Sequence, residues 1–197
     1  MKWIALAIFT FIAGYTLITL HYRKPGRAYQ PYKDSRDRAT VQRLQDAGYQ
    51  RIAATVSSPA DPQRSAANLG KPLATTQSTA GGLPAELNET LLEKPTLPES
   101  FSAVAAPTTA TVLLPYSFQF TCTLPDKKNV FNDAQIYVKD RSLAIVATFE
   151  NISGDLLART SESTVRITLP GGTLQSGEYQ VTLIGAHSSS QWTLQVH

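Results

Sequence analysis

Hydrophobic and polar positions along this chain fall into three textures, and each predicts a different kind of structure. From Trp3 to Leu20 the run WIALAIFTFIAGYTLITL carries no charge. As a helix rising about 1.5 Å per residue it spans roughly 27 Å, close to the ~30 Å hydrocarbon core of a bilayer. Lys2 on one side and Arg23 and Lys24 on the other can lift their charged heads to the interface, where Trp3 and Tyr22 also belong. Residues 1–22 are therefore expected to be a transmembrane anchor in contact with membrane lipids. The rival is a cleaved signal peptide, but the apolar run is longer than such a peptide needs and ends in Leu20-His21-Tyr22-Arg23 without a small-x-small site. Ile12-Ala13-Gly14 is the only weak cleavage candidate.

The second texture is polar and irregular. Residues 23–56 form a basic juxtamembrane segment, with Arg23, Lys24, Arg27, Lys33, Arg36 and Arg38 close after the apolar run. Within it, Asp34 to Ala47 predicts a short helix capped by Asp34 or Ser35 and ended by Gly48, with a narrow apolar face of Val41, Leu44 and Ala47. Ile52, Ala54 and Val56 alternate and predict a short strand that needs the edge of a later sheet. Residues 57–111 are rich in Pro, Ala, Ser and Thr and poor in large apolar side chains, which predicts a largely disordered linker. A short helix near 84–93 interrupts it, its Leu87, Leu91 and Leu92 stripe expected to pack onto a folded domain.

From residue 112 the texture becomes alternation. Leu114, Tyr116, Phe118, Phe120, Cys122 and Leu124 fall on one face of a strand, with Ser117, Gln119, Thr121 and Thr123 on the other. Val165, Ile167 and Leu169 repeat the pattern, as do Trp192, Leu194 and Val196. Ile136 to Val138, Leu143 to Phe149 and Tyr179 to Ala186 supply more strands, the middle one apolar on both faces and so expected to be central. Turn residues separate them at Pro125-Asp126, Asn132-Asp133, Asp140-Arg141, Asn151 to Asp155, Pro170 to Gly172, Ser176-Gly177 and Ser188 to Ser190. The pattern predicts an all-β, antiparallel sandwich or small barrel over 112–197, and the sandwich is the reading adopted.

LQSGEYQVTLIG, with Leu174, Gly177 and Tyr179, resembles the tyrosine corner of immunoglobulin-like and fibronectin type III-like sandwiches. That resemblance implies a two-sheet module of the kind that binds, spaces or scaffolds. The sequence departs from antibody domains in lacking a second cysteine for an inter-sheet bridge and in placing Trp192 in the last strand.

Composition changes this picture little. A chain of 197 residues has room for an anchor and one modest domain, and a net charge of +3, concentrated after the apolar run, points to a membrane surface and away from nucleic acid. A single cysteine, Cys122, makes no internal disulfide and on its core-facing register reads as a small buried side chain. No nucleophile elbow, phosphate loop or HExxH pattern occurs. His187 beside Ser188 to Ser190 reads as a solvated turn, and Asp126, Asp133, Asp140 and Asp155 read as turn residues, with a gathered calcium site the sharper alternative. Asn88-Glu89-Thr90 and Asn151-Ile152-Ser153 match a glycosylation acceptor pattern that is frequent by chance. No catalytic, cofactor-binding or metal-ligating residue is assigned.

The expected function is that of a single-pass, non-enzymatic membrane protein presenting a sandwich module to a protein partner. The alternative is a membrane-tethered enzyme or small-ligand binder whose site is built from loop residues. The bases after the apolar run place the C-terminal part in the cytoplasm by the positive-inside rule, whereas the module's character favours export, the reading adopted.

Overall fold

The computed structural model describes residues 2–22, 31–152 and 157–197. The chain divides into two compact units, Met1–Arg38 and Ala39–His197. In the first, α1 (Lys2–Tyr22) is one uninterrupted helix, long and apolar enough to cross a bilayer. Its threonines do not break it. Thr10, Thr16 and Thr19 each donate their hydroxyl to the carbonyl four residues back, at 2.9, 2.8 and 2.7 Å, so that none of these three hydroxyls is left bare on an apolar surface. The basic residues Arg23, Lys24 and Arg27 lie outside the described residues.

Helix α2 (Pro31–Asp46) continues into the second unit. Its end is a Schellman cap: Gly48, at φ +80°, donates to the Gln45 carbonyl, and Tyr49 to that of Leu44. There follow β1 (Gln50–Ile52), β2 (Thr55–Ser57), α3 (Pro62–Ala67), β3 (Gln77–Ala80), α4 (Ala85–Thr90), β4 (Ser100–Ala105) and β5 (Thr109–Ala110). The longer strands come last: β6 (Tyr116–Thr123), β7 (Asn129–Lys139), β8 (Ser142–Asn151), β9 (Glu162–Leu169), β10 (Gly177–Ile184) and β11 (Ser188–Val196).

One sheet runs β1-β7-β8-β10-β11-β3, with β5 also on β11; the other runs β2-β9-β6-β4. A single apolar cluster draws on both. Tyr116, Phe118, Phe120 and Cys122 of β6 and Val165, Ile167 and Leu169 of β9 meet Ile136, Ile145, Val181, Leu183, Trp192 and Leu194 of the larger sheet. Trp192 packs against Phe118 at 5.7 Å between ring centroids, and Phe101 meets Phe120 edge-on at 5.4 Å. Strand β8 is buried on both faces because the outer side of its sheet carries a second cluster, where Leu44 of α2, Leu87 of α4 and Leu91 just after it cover Tyr137, Ala144, Val146 and Ile184. Of the leucine stripe near 84–93, Leu87 and Leu91 thus pack onto the sheet, and Leu92 is not part of that cluster.

The structure corrects the sequence reading in four places. The larger sheet is mixed, not antiparallel: β8 and β10 pair in parallel, because the chain visits the other sheet as β9 between them and returns in the same direction. Residues 57–111 are not a disordered linker. They hold α3, β3, α4, β4 and β5, with β3 and β5 on β11 and β4 on β6, and the second unit begins near Ala39, far ahead of residue 112. Backbone pairing orders this stretch where side-chain burial is sparse. Third, Leu114 does not continue the core face of β6; it is 61% exposed in the loop ahead of that strand.

The stretch from Tyr49 to Val56 makes two strands, not one. β1 joins the edge of the larger sheet on β7, and β2, three residues on, joins the edge of the smaller sheet on β9. The chain thereby crosses between the sheets along one side of the core.

Candidate functional site

The residues that carry chemistry are spread apart by the fold. Cys122 is buried on the core face of β6, its thiol donating to the Ser163 carbonyl at 3.4 Å; burial pushes its pKa up to about 11. Its surroundings are those of a packing residue. His187 is exposed in the turn before β11, while Ser189 is buried with its hydroxyl accepting from the Gly185 N–H at 3.3 Å. Imidazole and buried hydroxyl are thus committed to different surroundings.

The aspartates do not gather either. Asp126 accepts from the Lys128 N–H at 2.9 Å and from the Asn129 side-chain amide at 2.6 Å, which ties its own turn. Asp140, at φ +52°, is the first residue of the two-residue turn joining β7 to β8, and Asp133 is exposed beside the bulge in β7. Asp155 and Ser153 lie outside the described residues. Among the described residues no three His, Cys, Asp or Glu side chains come together as a metal site. Asn88 is half-buried on α4, and Thr90 of the same acceptor pattern donates its hydroxyl to the Glu86 carbonyl at 2.6 Å.

Two polar constellations do form that sequence spacing could not reveal. Lys139 Nζ lies 2.6 Å from Glu86 Oε2 and 5.2 Å from the centroid of the Tyr49 ring, and the Tyr49 hydroxyl donates to the same carboxylate at 3.4 Å. The hydrogen bond from Lys139 lowers the Glu86 pKa and raises that of Lys139. Tyr49 follows α2, Glu86 is on α4 and Lys139 ends β7, so the trio clips both helices to the sheet.

The second is an open cleft of about 430 Å³ between the end of α3, the stretch around β5 and the outer face of β9. Arg166 and His197 line it, together with Leu69, Pro107, Leu114 and Tyr116. The Tyr116 hydroxyl is not available to a ligand, since it donates to the Pro107 carbonyl at 3.0 Å and accepts from Trp192 Nε1 at 3.4 Å; burial raises its pKa. Register explains Arg166: with Val165 and Ile167 in the core, it faces outward beside Gln119 of β6. Gln119 is buried under α3, its amide nitrogen donating to the Pro62 carbonyl at 2.9 Å while its oxygen has no hydrogen-bond partner among the described residues.

The tyrosine singled out in the sequence takes up its expected local bond. Tyr179, near the start of β10, accepts at its hydroxyl from the Gln175 N–H at 3.1 Å, which ties the strand to the turn before it.

Fold and sites together define a mostly β protein with one N-terminal helix of membrane-spanning length. Comparisons with known protein families, with curated proteins and with solved structures find no match.

Proposed function

We propose that this chain is a single-pass membrane protein whose β unit is a non-enzymatic, immunoglobulin-like sandwich that engages or scaffolds a protein partner outside the cytoplasm. The observation that carries the reading is the pairing of a predominantly apolar helix with a compact β unit. Trp3, Phe9 and Phe11 are 82%, 75% and 74% exposed on α1, an arrangement that water penalises and lipid rewards. The Tyr179 corner and the core shared by two sheets support the immunoglobulin-like assignment. The parallel β8–β10 pair departs from that arrangement.

The commitment of the buried Ser189 hydroxyl to the Gly185 N–H and the burial of Cys122 favour binding over catalysis. A small-ligand binder is the second reading, and the cleft beside Arg166 is the feature that favours it.

An alkaline carbonate wash of membranes tests the tether: the full-length chain should stay with the lipid, and its recovery in the aqueous fraction overturns the proposal. Protease treatment of intact cells tests the side. Loss of the β unit before the membrane is opened supports export, and survival until lysis reverses it.

A further inference from the structure

We propose that the cleft beside β5 takes up an extended, acidic peptide segment of a partner protein by adding it to the β5 edge. This rests on the interaction module proposed above, and names the class of its partner and the place of contact.

The edge comes first. β5 pairs in parallel with β11, the Gln195 N–H donating to the Thr108 carbonyl at 2.8 Å and the His197 N–H to the Ala110 carbonyl at 2.9 Å. In a parallel ladder alternate residues bond to alternate sides, so Thr109 turns its own N–H and C=O away from β11. The segment that pairs with the residues just before it stops short: Ala74 donates to the Ala106 carbonyl at 2.7 Å and Thr108 to that of Pro72 at 2.9 Å, and no such bond reaches Thr109 among the described residues. Thr109 and Thr111 are exposed, and both line the cleft. A backbone edge open inside a groove is what strand addition requires.

Charge selects the occupant. Arg166 lines the same cleft, half-buried, and its guanidinium has no acidic partner among the described residues. A carboxylate on the incoming strand would supply that partner, and a guanidinium accepts one in a fixed, two-bond geometry.

The cleft lining supplies an apolar anchor in Leu114, and Leu113 precedes it in the same exposed loop. Leu113 and Leu114 are 82% and 61% exposed, yet their loop is tightly held. Val112 donates to the His197 carbonyl at 2.8 Å and accepts from the Gly172 N–H at 2.6 Å, and a Cβ on Gly171 would lie 2.2 Å from the Leu113 carbonyl oxygen. Two leucines fixed in water, not folded back, lower the ordering cost for a partner that covers them.

The test uses the full-length chain in detergent as bait for a displayed random heptapeptide library, followed by fluorescence polarisation with the enriched peptides. Enrichment of Asp or Glu among β-forming residues is expected, with affinity falling about tenfold in Arg166→Glu and less in Arg166→Lys, which keeps the charge but loses the two-bond geometry. Leu114→Ser, at an exposed site that tolerates it, should also weaken binding. Bound peptide should slow exchange of the Thr109 amide. Peptides without acidic residues, binding indifferent to Arg166→Glu and Leu114→Ser, or competition by free phosphate alone would overturn the cleft proposal. A membrane partner captured by crosslinking whose binding survives both substitutions would likewise remove the cleft, while leaving the interaction module in place.

Discussion

Strands β6 and β3 belong to the same β unit, yet their sequences have almost nothing in common. β6 reads YSFQFTCT and buries Tyr116, Phe118, Phe120 and Cys122 in the inter-sheet cluster. β3 reads QSTA, buries no large side chain, and is held by its pairing with Ser188 to Gln191 of β11. One strand is ordered by removing apolar surface from water, the other by completing the hydrogen-bond ladder of a sheet that already exists. Burial leaves a periodic trace in the sequence, and edge pairing leaves almost none. A Ser, Thr and Ala-rich stretch is therefore compatible with two outcomes, and only the presence of a receptive edge decides between them.

The largest expected effect lies on the β6 side of that contrast. Trp192, 2% exposed and packed on Phe118, should cost about 3 to 5 kcal/mol when replaced by Ala, read as a lowered melting temperature of the β unit. An unchanged melt would mean that the inter-sheet cluster does not hold the unit together. Cys122 reports on the same region without mutation. With its thiol pKa pushed from 9.0 up to about 11, its thiolate at neutral pH is about a hundredfold scarcer than that of an ordinary cysteine, and burial slows attack further. Alkylation followed by mass spectrometry should label it only once denaturant is added; rapid labelling of the native chain would contradict its buried register.

On the β3 side the informative residue is Gly81. A Cβ there would lie 2.4 Å from the Ala186 carbonyl oxygen and 2.5 Å from the His187 carbonyl carbon, both backbone atoms that cannot simply rotate away. Gly81→Ala should therefore destabilise the unit by about 1 to 3 kcal/mol. In a loose linker the same change would leave stability untouched, so the sign and size of this one shift separate the two views of residues 57–111. Amide exchange adds detail: Gly82, Ala74 and Thr108, bonded to the Gly185, Ala106 and Pro72 carbonyls, should exchange more slowly than a free segment does.

The legible parts of this fold are those in which a side chain must leave water. Tyr116 to Leu124, Val165 to Leu169 and Trp192 to Val196 announce their inner faces by alternation, and the two-faced burial of Ile145 and Val146 follows from a run with no polar break. Leu114 misled because an exposed loop leucine fits the same period as the strand it precedes. The parallel β8–β10 pair was hidden because alternation says nothing about strand direction. The cleft was hidden for a related reason: Arg166 sits 57 residues from Thr109 in the chain by their numbering, and only the return of β9 beside β6 brings it near β5.

The trio at Tyr49, Glu86 and Lys139 gives the smallest expected effect and the finest test of the comparison, because it fastens α4, which lies within 57–111, to β7 by polar contacts. Glu86 has its pKa lowered from 4.5, first by the hydrogen bond from Lys139 and then by its positive charge. A carboxyl whose pKa is depressed in the folded state contributes stability fully above its ordinary range, and that contribution is lost as pH falls through the depressed value. Glu86→Gln should thus lower the melting temperature slightly at neutral pH, and the gap from the parent should close below pH 4.5. The pair is exposed, so salt should shrink the gap as well. Leu87→Ala should behave differently, since that side chain is fully buried against the sheet and its loss should persist at every pH and ionic strength. If Glu86→Gln proved as damaging as Leu87→Ala, the docking of α4 would be electrostatic at root, and its apolar stripe would be only an accompaniment.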